Sequence, residues 1–478
     1  MSFWNLPEEI IDLILPEIEH HRDLVNFACA SRLCSQLVVP RHTEYRVLRL
    51  GTVHCTHIWA HLARRTDLAC NIREINIEQV DAAHPRAPSS LINDVDQEKR
   101  DGEIEEEEML RVLAKMPRLK SFSWEHRFIT WPEPRADYRY FAPKVFDVLQ
   151  RVGSVEHLRL ETIDEFKFNE PIEECGLWKM IHLRSLLLTS KRDWPPQKLL
   201  VDWFNSLSCL ELLSLPPDIF EMHHSSLFFP SLRLLGVWSS YSDINQAVLT
   251  FLERHSGIEG LTWYSHVRAP SDIASNFLPK LRQLHCRYDF FRMLVSRTEA
   301  ACLPRRKIES LSLISRFDEG PFVDECCNSP GIDPVSLRLL SLMNHHSNQD
   351  VYKLAVAFPM IEELSVPRLS GQDFDFEEFL LGVEQLKYLR VLYQDVIWSD
   401  FEMEKGGWDL NLDPQMQLIV DERIQILAAR CPNLVEVSHP KGYGHRLVLS
   451  RDNGEVLSQV EKAPPRSDFE LHNYSFGW

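Results

Sequence analysis

The stretch VEHLRL, Val155 to Leu160, carries apolar side chains at its first, fourth and sixth positions. A period of two puts Leu158 and Leu160 on one side of a short strand and His157 and Arg159 on the other. The pattern recurs upstream at Ile72 (IREINI) and Leu119 (LKSFSW). Downstream it recurs at Leu183 (LRSLLL), Leu210 (LELLSL), Leu232 (LRLLGV), Ile258 (IEGLTW), Leu281 (LRQLHC), Ile308 (IESLSL), Leu337 (LRLLSL) and Ile361 (IEELSV), with weaker copies at Leu389 (LRVLYQ) and Leu434 (LVEVSH). From Val155 to Leu389 the successive spacings are 28, 27, 22, 26, 23, 27, 29, 24 and 28 residues. A period in this range means one supersecondary unit per repeat, and such a unit buries its apolar face only by stacking on its neighbours.

Helical segments precede several of these strands: Glu105 to Lys115, Val201 to Leu207, Asn245 to Arg254, Tyr352 to Phe358 and Val420 to Arg430. Turn residues follow them, as in Met116-Pro117, Ser256-Gly257, Phe358-Pro359 and Cys431-Pro432, which suits a helix that ends before proline and feeds a strand. The sequence predicts an α/β solenoid, an irregular right-handed horseshoe with a parallel sheet on its concave face. Residues 82–108 interrupt the register with a Pro- and Ala-rich loop that ends in a Glu run. A second insertion, EMEKGGWDLNLDPQ, falls between Leu389 and Leu434, and the polar C-terminal tail is expected to cap the last repeat.

These repeats resemble leucine-rich repeats. Ile163, Lys191 and Arg316 stand where regular repeats carry Asn or Cys. The side-chain ladder of that family is therefore not expected, and less uniform strand connections are.

Ahead of the array, Trp4 to Leu37 reads WNLPEEIIDLILPEIEHHRDLVNFACASRLCSQL. Pro7, Glu8 and Glu9 suit a helix start, and Ile10, Ile11, Ile14, Leu15 and Ile18 recur at helical spacing. Pro16 ends or kinks that helix, and Asp23 is read as the N-cap of a second one bearing Leu24, Phe27, Ala28, Ala30 and Leu37. Short helices of this kind leave apolar surface for a partner. The residues Leu6-Pro7-x-Glu9-Ile10, Ile14-Leu15, Asp23-Leu24 and Ala30-Ser31-Arg32 to Leu37 resemble the F-box of fungal type, which docks ubiquitin-ligase adaptors onto Skp1. Cys34 replaces an aromatic that is frequent in that family, so looser packing of the third helix is expected. The resemblance divides the chain into an F-box over residues 1–45 and a repeat domain over 46–478.

The formal net charge of −18 disfavours a nucleic-acid partner. No apolar run approaches the length of a membrane span, and no secretory signal is apparent. Eleven scattered cysteines without C-x-x-C suit free thiols in a reducing compartment, cytoplasmic or nuclear. The His20-His21, His223-His224 and His345-His346 pairs make poor chelates, Cys326-Cys327 is read as a loop pair of free thiols, and Gly442-x-Gly444 is too short for a nucleotide fingerprint. No cofactor, metal or catalytic constellation is expected.

The resemblance implies a noncatalytic substrate-recognition subunit of a Skp1–cullin–F-box ubiquitin ligase, with Leu6, Pro7, Ile10, Ile14, Leu15 and Leu24 gripping Skp1. A target protein is expected on the exposed phase of the strands, at Arg159, Trp238, Tyr264, His285 and Arg287. Leu187, Leu212, Leu234 and Leu339 share that phase, so either the face is unusually apolar or the register shifts by one at those repeats. The other reading is a leucine-rich-repeat scaffold unconnected to ubiquitination, whose helical start is a cap.

Overall fold

Most of the repeats begin with the same turn. In nine of them the backbone N–H of the first apolar residue donates to the carbonyl three residues earlier: Ile72 to Ala69, Leu119 to Met116, Leu210 to Leu207, Leu232 to Phe229, Ile258 to His255, Leu281 to Leu278, Ile361 to Phe358, Leu389 to Leu386 and Leu434 to Cys431. Both ends of every turn are buried, so the helix is stapled to its strand by the apolar pair that the sequence repeats. His255 holds one of these slots; its Nδ1 lies 2.7 Å from the Phe251 carbonyl, and burial lowers its pKa.

The computed structural model describes residues 15, 21–38, 46–50, 56–80, 107–127, 144–161, 172–189, 197–215, 226–237, 243–244, 246–263, 266–267, 277–300, 305–314, 322–329, 331–342, 348–365, 375–393, 414–439, 445–452 and 455–462. They belong to two compact units, Met1–Pro216 with Ser226–Leu232, and Pro217–Ser225 with Arg233–Trp478.

In the first unit, helices His21–Ala30 and Arg32–Val38 precede β1 (Val47–Leu50), β2 (Glu74–Val80), β3 (Ser121–Arg127), β4 (His157–Glu161), β5 (Ser185–Thr189) and β6 (Leu212–Leu215). Each strand pairs in parallel with the next, with Leu158 opposite Phe122 and Leu186, and Leu186 opposite Leu213. Helices Thr56–Arg64, Lys144–Val152 and Gln197–Ser206, with helical residues 107–113, make the crossovers that parallel pairing requires. The helix Lys144–Val152 buries Val145, Phe146, Val148 and Leu149, one apolar stripe of a short amphipathic helix. Gly153 closes it at φ +70°, the left-handed conformation of a helix C-terminus. Trp178, Trp203, Phe204 and Phe229 form a chain of ring contacts at 5.1, 5.3 and 6.3 Å under the later strands.

The N-terminal helices carry a small core of their own, in which Leu15, Leu24, Ala28 and Val38 are buried with Phe27 and Leu37 against them. The second of the expected helices starts at His21, so Asp23 lies in its first turn and is not the N-cap. Nor is the next helix loosened by Cys34: that side chain is 1% exposed, and its N–H donates to Ser31 Oγ at 3.1 Å, a side-chain cap three residues back. Arg46 Nη2 reaches the Leu15 carbonyl at 2.9 Å, which ties this core to the residue preceding β1.

In the second unit the parallel order runs β7 (Leu234–Val237), β9 (Gly260–Trp263), β11 (Gln283–Arg287), β12 (Ser310–Ile314), β13 (Leu339–Leu342), β14 (Glu363–Ser365), β15 (Val391–Tyr393) and β16 (Glu436–Ser438). Two residues each of β8 (Asp243–Ile244) and β10 (His266–Val267) pair separately. The hairpin β17 (His445–Asp452) and β18 (Glu455–Lys462) adds to β16 in antiparallel order. Helix Phe376–Val383 starts at Asp375, whose carboxylate accepts from Glu377 N at 2.9 Å and Glu378 N at 3.1 Å. Cys326 and Cys327 end the helix Phe322–Cys327 and are not loop thiols; burial raises the Cys326 thiol far above its ordinary range and pushes Cys327 up to about 11.

The strand register is uniform. Leu187 stands opposite Arg159 and Ser214, Leu212 opposite Ser185, Leu234 opposite Gly260, and Leu339 opposite Ser310 and Glu363. The slip by one residue is therefore excluded, and the face is apolar at those repeats, with Leu187 buried and the other three half-buried. The tail beyond residue 462, the insertion before Pro414 and residues 81–106 lie outside the described residues.

Candidate functional site

The carbonyl of the second residue of a repeat accepts two N–H groups from the next. Glu156 O receives Arg184 N at 2.8 Å and Ser185 N at 3.1 Å, and the same fork recurs at Arg73, Lys120, Arg184, Arg233, Glu259, Arg282, Glu309, Arg338, Glu362 and Arg390. This backbone ladder ties the start of each strand to the next without a side-chain ladder, while the connections differ, with a pair of 3-10 turns between β4 and β5 and α-helices in others.

The side chains on that ladder alternate in sign. Lys120, Glu156, Arg184 and Glu211 follow one another in the first unit; Arg233, Glu259, Arg282, Glu309, Arg338, Glu362 and Arg390 follow in the second. Ion pairs link Glu156 to Lys120 at 3.5 Å, Arg184 to Glu211 at 2.5 Å, Arg233 to Glu259 at 2.7 Å, Arg282 to Glu309 at 3.2 Å and Arg338 to Glu362 at 3.5 Å. The Arg233 guanidinium, hydrogen-bonded to Glu259, holds that carboxyl below its usual range. All these side chains are substantially exposed, so each pair contributes at most about 1 kcal/mol. Their larger effect is on order: skipping one repeat would set like charges side by side. The alternation is printed in the sequence at the position after the first apolar residue, and a reading confined to apolar residues passes over it.

At its first positions the ladder departs from alternation. Arg46, Arg73 and Lys120 are consecutive bases, with Arg118 two residues before Lys120. Burial, then the charges of Arg73 and Arg118, push Arg46 down to about 10. Beside them a cleft of about 690 Å³ opens, lined by Arg73, Arg118, Lys120, Glu156, Arg184 and Glu211, with the Gly153-Ser154 turn and His182 between.

Of the expected target contacts, Arg159 is half-buried in the first unit, in the column Ser123, Arg159, Leu187, Ser214. His285 and Arg287 belong to the second unit, and both are corrected as surface contacts. His285 is 4% exposed between Thr262 and Ser312, which are buried as well, so the face is not bare at these three strands. The Arg287 side chain is 12% exposed, because helix Tyr288–Ala300 starts at the next residue and brings Asp289 to 3.9 Å. Trp238 and Tyr264 lie outside the described residues, as do Leu6, Pro7, Ile10 and Ile14; Leu15 and Leu24 are fully buried in the N-terminal core.

Burial pushes the His285 pKa down to about 4, below the roughly 6.5 of an unfolded histidine. The unfolded chain therefore takes up the proton first, and stability present above pH 6.5 is lost as the pH falls towards 4, by about 2 kcal/mol at pH 5. Urea midpoints at pH 7 and pH 5 check this: His285→Asn is expected to show a smaller acid loss than the natural chain, and an equal loss in both would contradict it.

Among the described residues no group of three or more His, Cys, Asp or Glu could hold a metal ion, and no helix is long and apolar enough to cross a membrane. Parallel strands in constant register, one per repeat, with helical crossovers and a turn that most repeats share, define the class as an α/β repeat array. Compared with known protein families and with curated proteins, the sequence matches none. Among solved structures it is similar to the leucine-rich repeat-containing protein LegL7 from Legionella pneumophila, at 11% identity and a TM-score of 0.28, over 89% of this chain and 95% of that one. The class follows from the register and the turn, independently of that likeness.

Proposed function

We propose that this chain is a noncatalytic adaptor, in which the repeat arrays hold a target protein and the N-terminal helices dock Skp1 and, through it, a cullin scaffold. Its contribution to ubiquitin transfer is proximity, raising the effective concentration of target lysines near a charged partner enzyme. The observation that carries the reading is the apolar surface left on helices that already have a core: Val25 is 38% and Leu33 49% exposed beside the closed cluster of Leu15, Leu24, Ala28 and Val38. Leu15 and Leu24 hold the docking helices together, while Leu6, Pro7, Ile10 and Ile14 enter as contacts through the F-box resemblance.

A second reading has its own support. The buried bond from Arg46 to the Leu15 carbonyl ties the helices to the start of β1, as a cap on a leucine-rich-repeat scaffold would be tied. Purified chain mixed with purified Skp1 separates the two readings. The adaptor elutes as a stable one-to-one complex, with its mass read by light scattering, and the scaffold elutes alone.

A further inference from the structure

We propose that the cleft bounded by Arg73, Arg118, Lys120 and Arg184 binds an extended acidic segment of a protein partner, a reading that goes beyond Skp1 docking and stands whether or not the helices dock it. The chain carries a formal net charge of −18, yet four of the six ionised side chains lining this cleft are basic. The excess arises where the ladder departs from alternation, with bases at the second position of two successive repeats, Arg73 and Lys120, and Arg118 beside them. Glu156 and Glu211 hold Arg184 at 3.9 and 2.5 Å, and Glu156 holds Lys120 at 3.5 Å, so both acidic side chains of the lining are already engaged by bases of the ladder.

The spacing selects the ligand. Strands in a sheet lie about 4.8 Å apart, so Arg73 on the β2 repeat and Arg184 on the β5 repeat are separated by about 14 Å. An extended chain covers that distance in about four residues. Carboxylates about four residues apart on an extended segment therefore meet both ends of the cleft, and hydrogen bonds from guanidinium groups orient them. A nucleic acid fits poorly, because Glu156 and Glu211 oppose a continuous line of phosphates and, among the described residues, no Phe, Tyr or Trp lines the cleft for base stacking.

The test is fluorescence anisotropy on the full chain with a fluorescein-labelled peptide of alternating serine and aspartate, about a dozen residues long so that it spans the cleft in extended form. Matched serine–alanine and serine–lysine peptides and a single-stranded oligonucleotide of equal charge are the comparisons. The aspartate peptide is expected to bind, to weaken with added salt, and to lose about tenfold or more in affinity in Arg118→Glu with the melting temperature held, a change of about 1.4 kcal/mol. Glu211→Gln, which removes negative lining without adding bulk, is expected to tighten binding severalfold and serves if Arg118→Glu fails to fold. Lys387→Glu, an exposed charge in the second unit, is expected to change nothing. Equal binding of the alanine peptide, tighter binding of the oligonucleotide, an equal loss in Lys387→Glu, or unchanged affinity in both cleft variants would each overturn the proposal.

Discussion

Gly176→Ala is expected to lower the stability of the first unit by about 3 kcal/mol, at the upper end of what overpacking costs. A Cβ at Gly176 would sit 2.6 Å from the Phe146 carbonyl oxygen and 2.7 Å from the backbone of Asp147. Those atoms belong to the helix Lys144–Val152, whose Val145, Phe146, Val148 and Leu149 are locked into the core, so the backbone cannot retreat. The same approach carries a hydrogen bond from Gly176 N to Asp147 Oδ1 at 2.7 Å, which a retreat would stretch. Urea unfolding followed by tryptophan fluorescence reads the effect through Trp178 and Trp203, which pack at 5.1 Å two and more residues further on. A midpoint unchanged from the natural chain would mean that the turn does not approach the helix as described.

Arg446→Met is expected to cost a similar amount, about 3 kcal/mol, by stranding a buried carboxylate. Glu436 is 7% exposed; its Oε2 lies 2.5 Å from Arg446 Nη1, and its Oε1 accepts from the Tyr393 hydroxyl at 2.5 Å. Arg446 also reaches Glu461 at 3.2 Å, so one guanidinium ties β16, β17 and β18 together. Methionine keeps most of the bulk and removes the charge, which isolates the electrostatic cost. Adding Glu436→Gln to Arg446→Met is expected to recover more than half of the loss, because an amide tolerates burial with the single Tyr393 partner far better than a carboxylate does. Chemical unfolding of the two variants beside the natural chain checks both statements, and a double variant no more stable than the single one would contradict the assignment.

Much of the architecture was legible in the apolar pattern alone. A leucine pair two apart with a third residue three earlier places each strand, and the helix before Pro or Gly places the crossover, as at Met116-Pro117 and Cys431-Pro432. Helix Phe376–Val383 was also readable, since Asp375 followed by Glu378 is an N-terminal capping signature, but it is not among the helices expected ahead of the strands. Helix Tyr288–Ala300 was harder, because it follows β11 with no turn residue between. The alternating charges at the second repeat position lay in plain view, but they become a ladder only once parallel register brings Arg184 between Glu156 and Glu211.

What the sequence could not show is which members of the exposed phase stay exposed. Arg159 and His285 occupy equivalent positions in their strands, yet one is half-buried and the other almost wholly buried, a difference that alternation alone does not carry. Leu15 and Leu24 pose the same problem in the helices: periodicity marks them as apolar, and only the packing assigns them to the motif's own core, leaving Val25 and Leu33 outward.

The adaptor account is tested most directly by titrating Skp1 against the natural chain and against Val25→Asp/Leu33→Asp, with the melting temperature of each recorded. The account predicts saturable binding by the natural chain, loss of that binding by more than about tenfold in the double variant, and a melting temperature that stays within a few degrees. A folded natural chain that does not bind Skp1, or a double variant that binds it as well as the natural chain does, would contradict it.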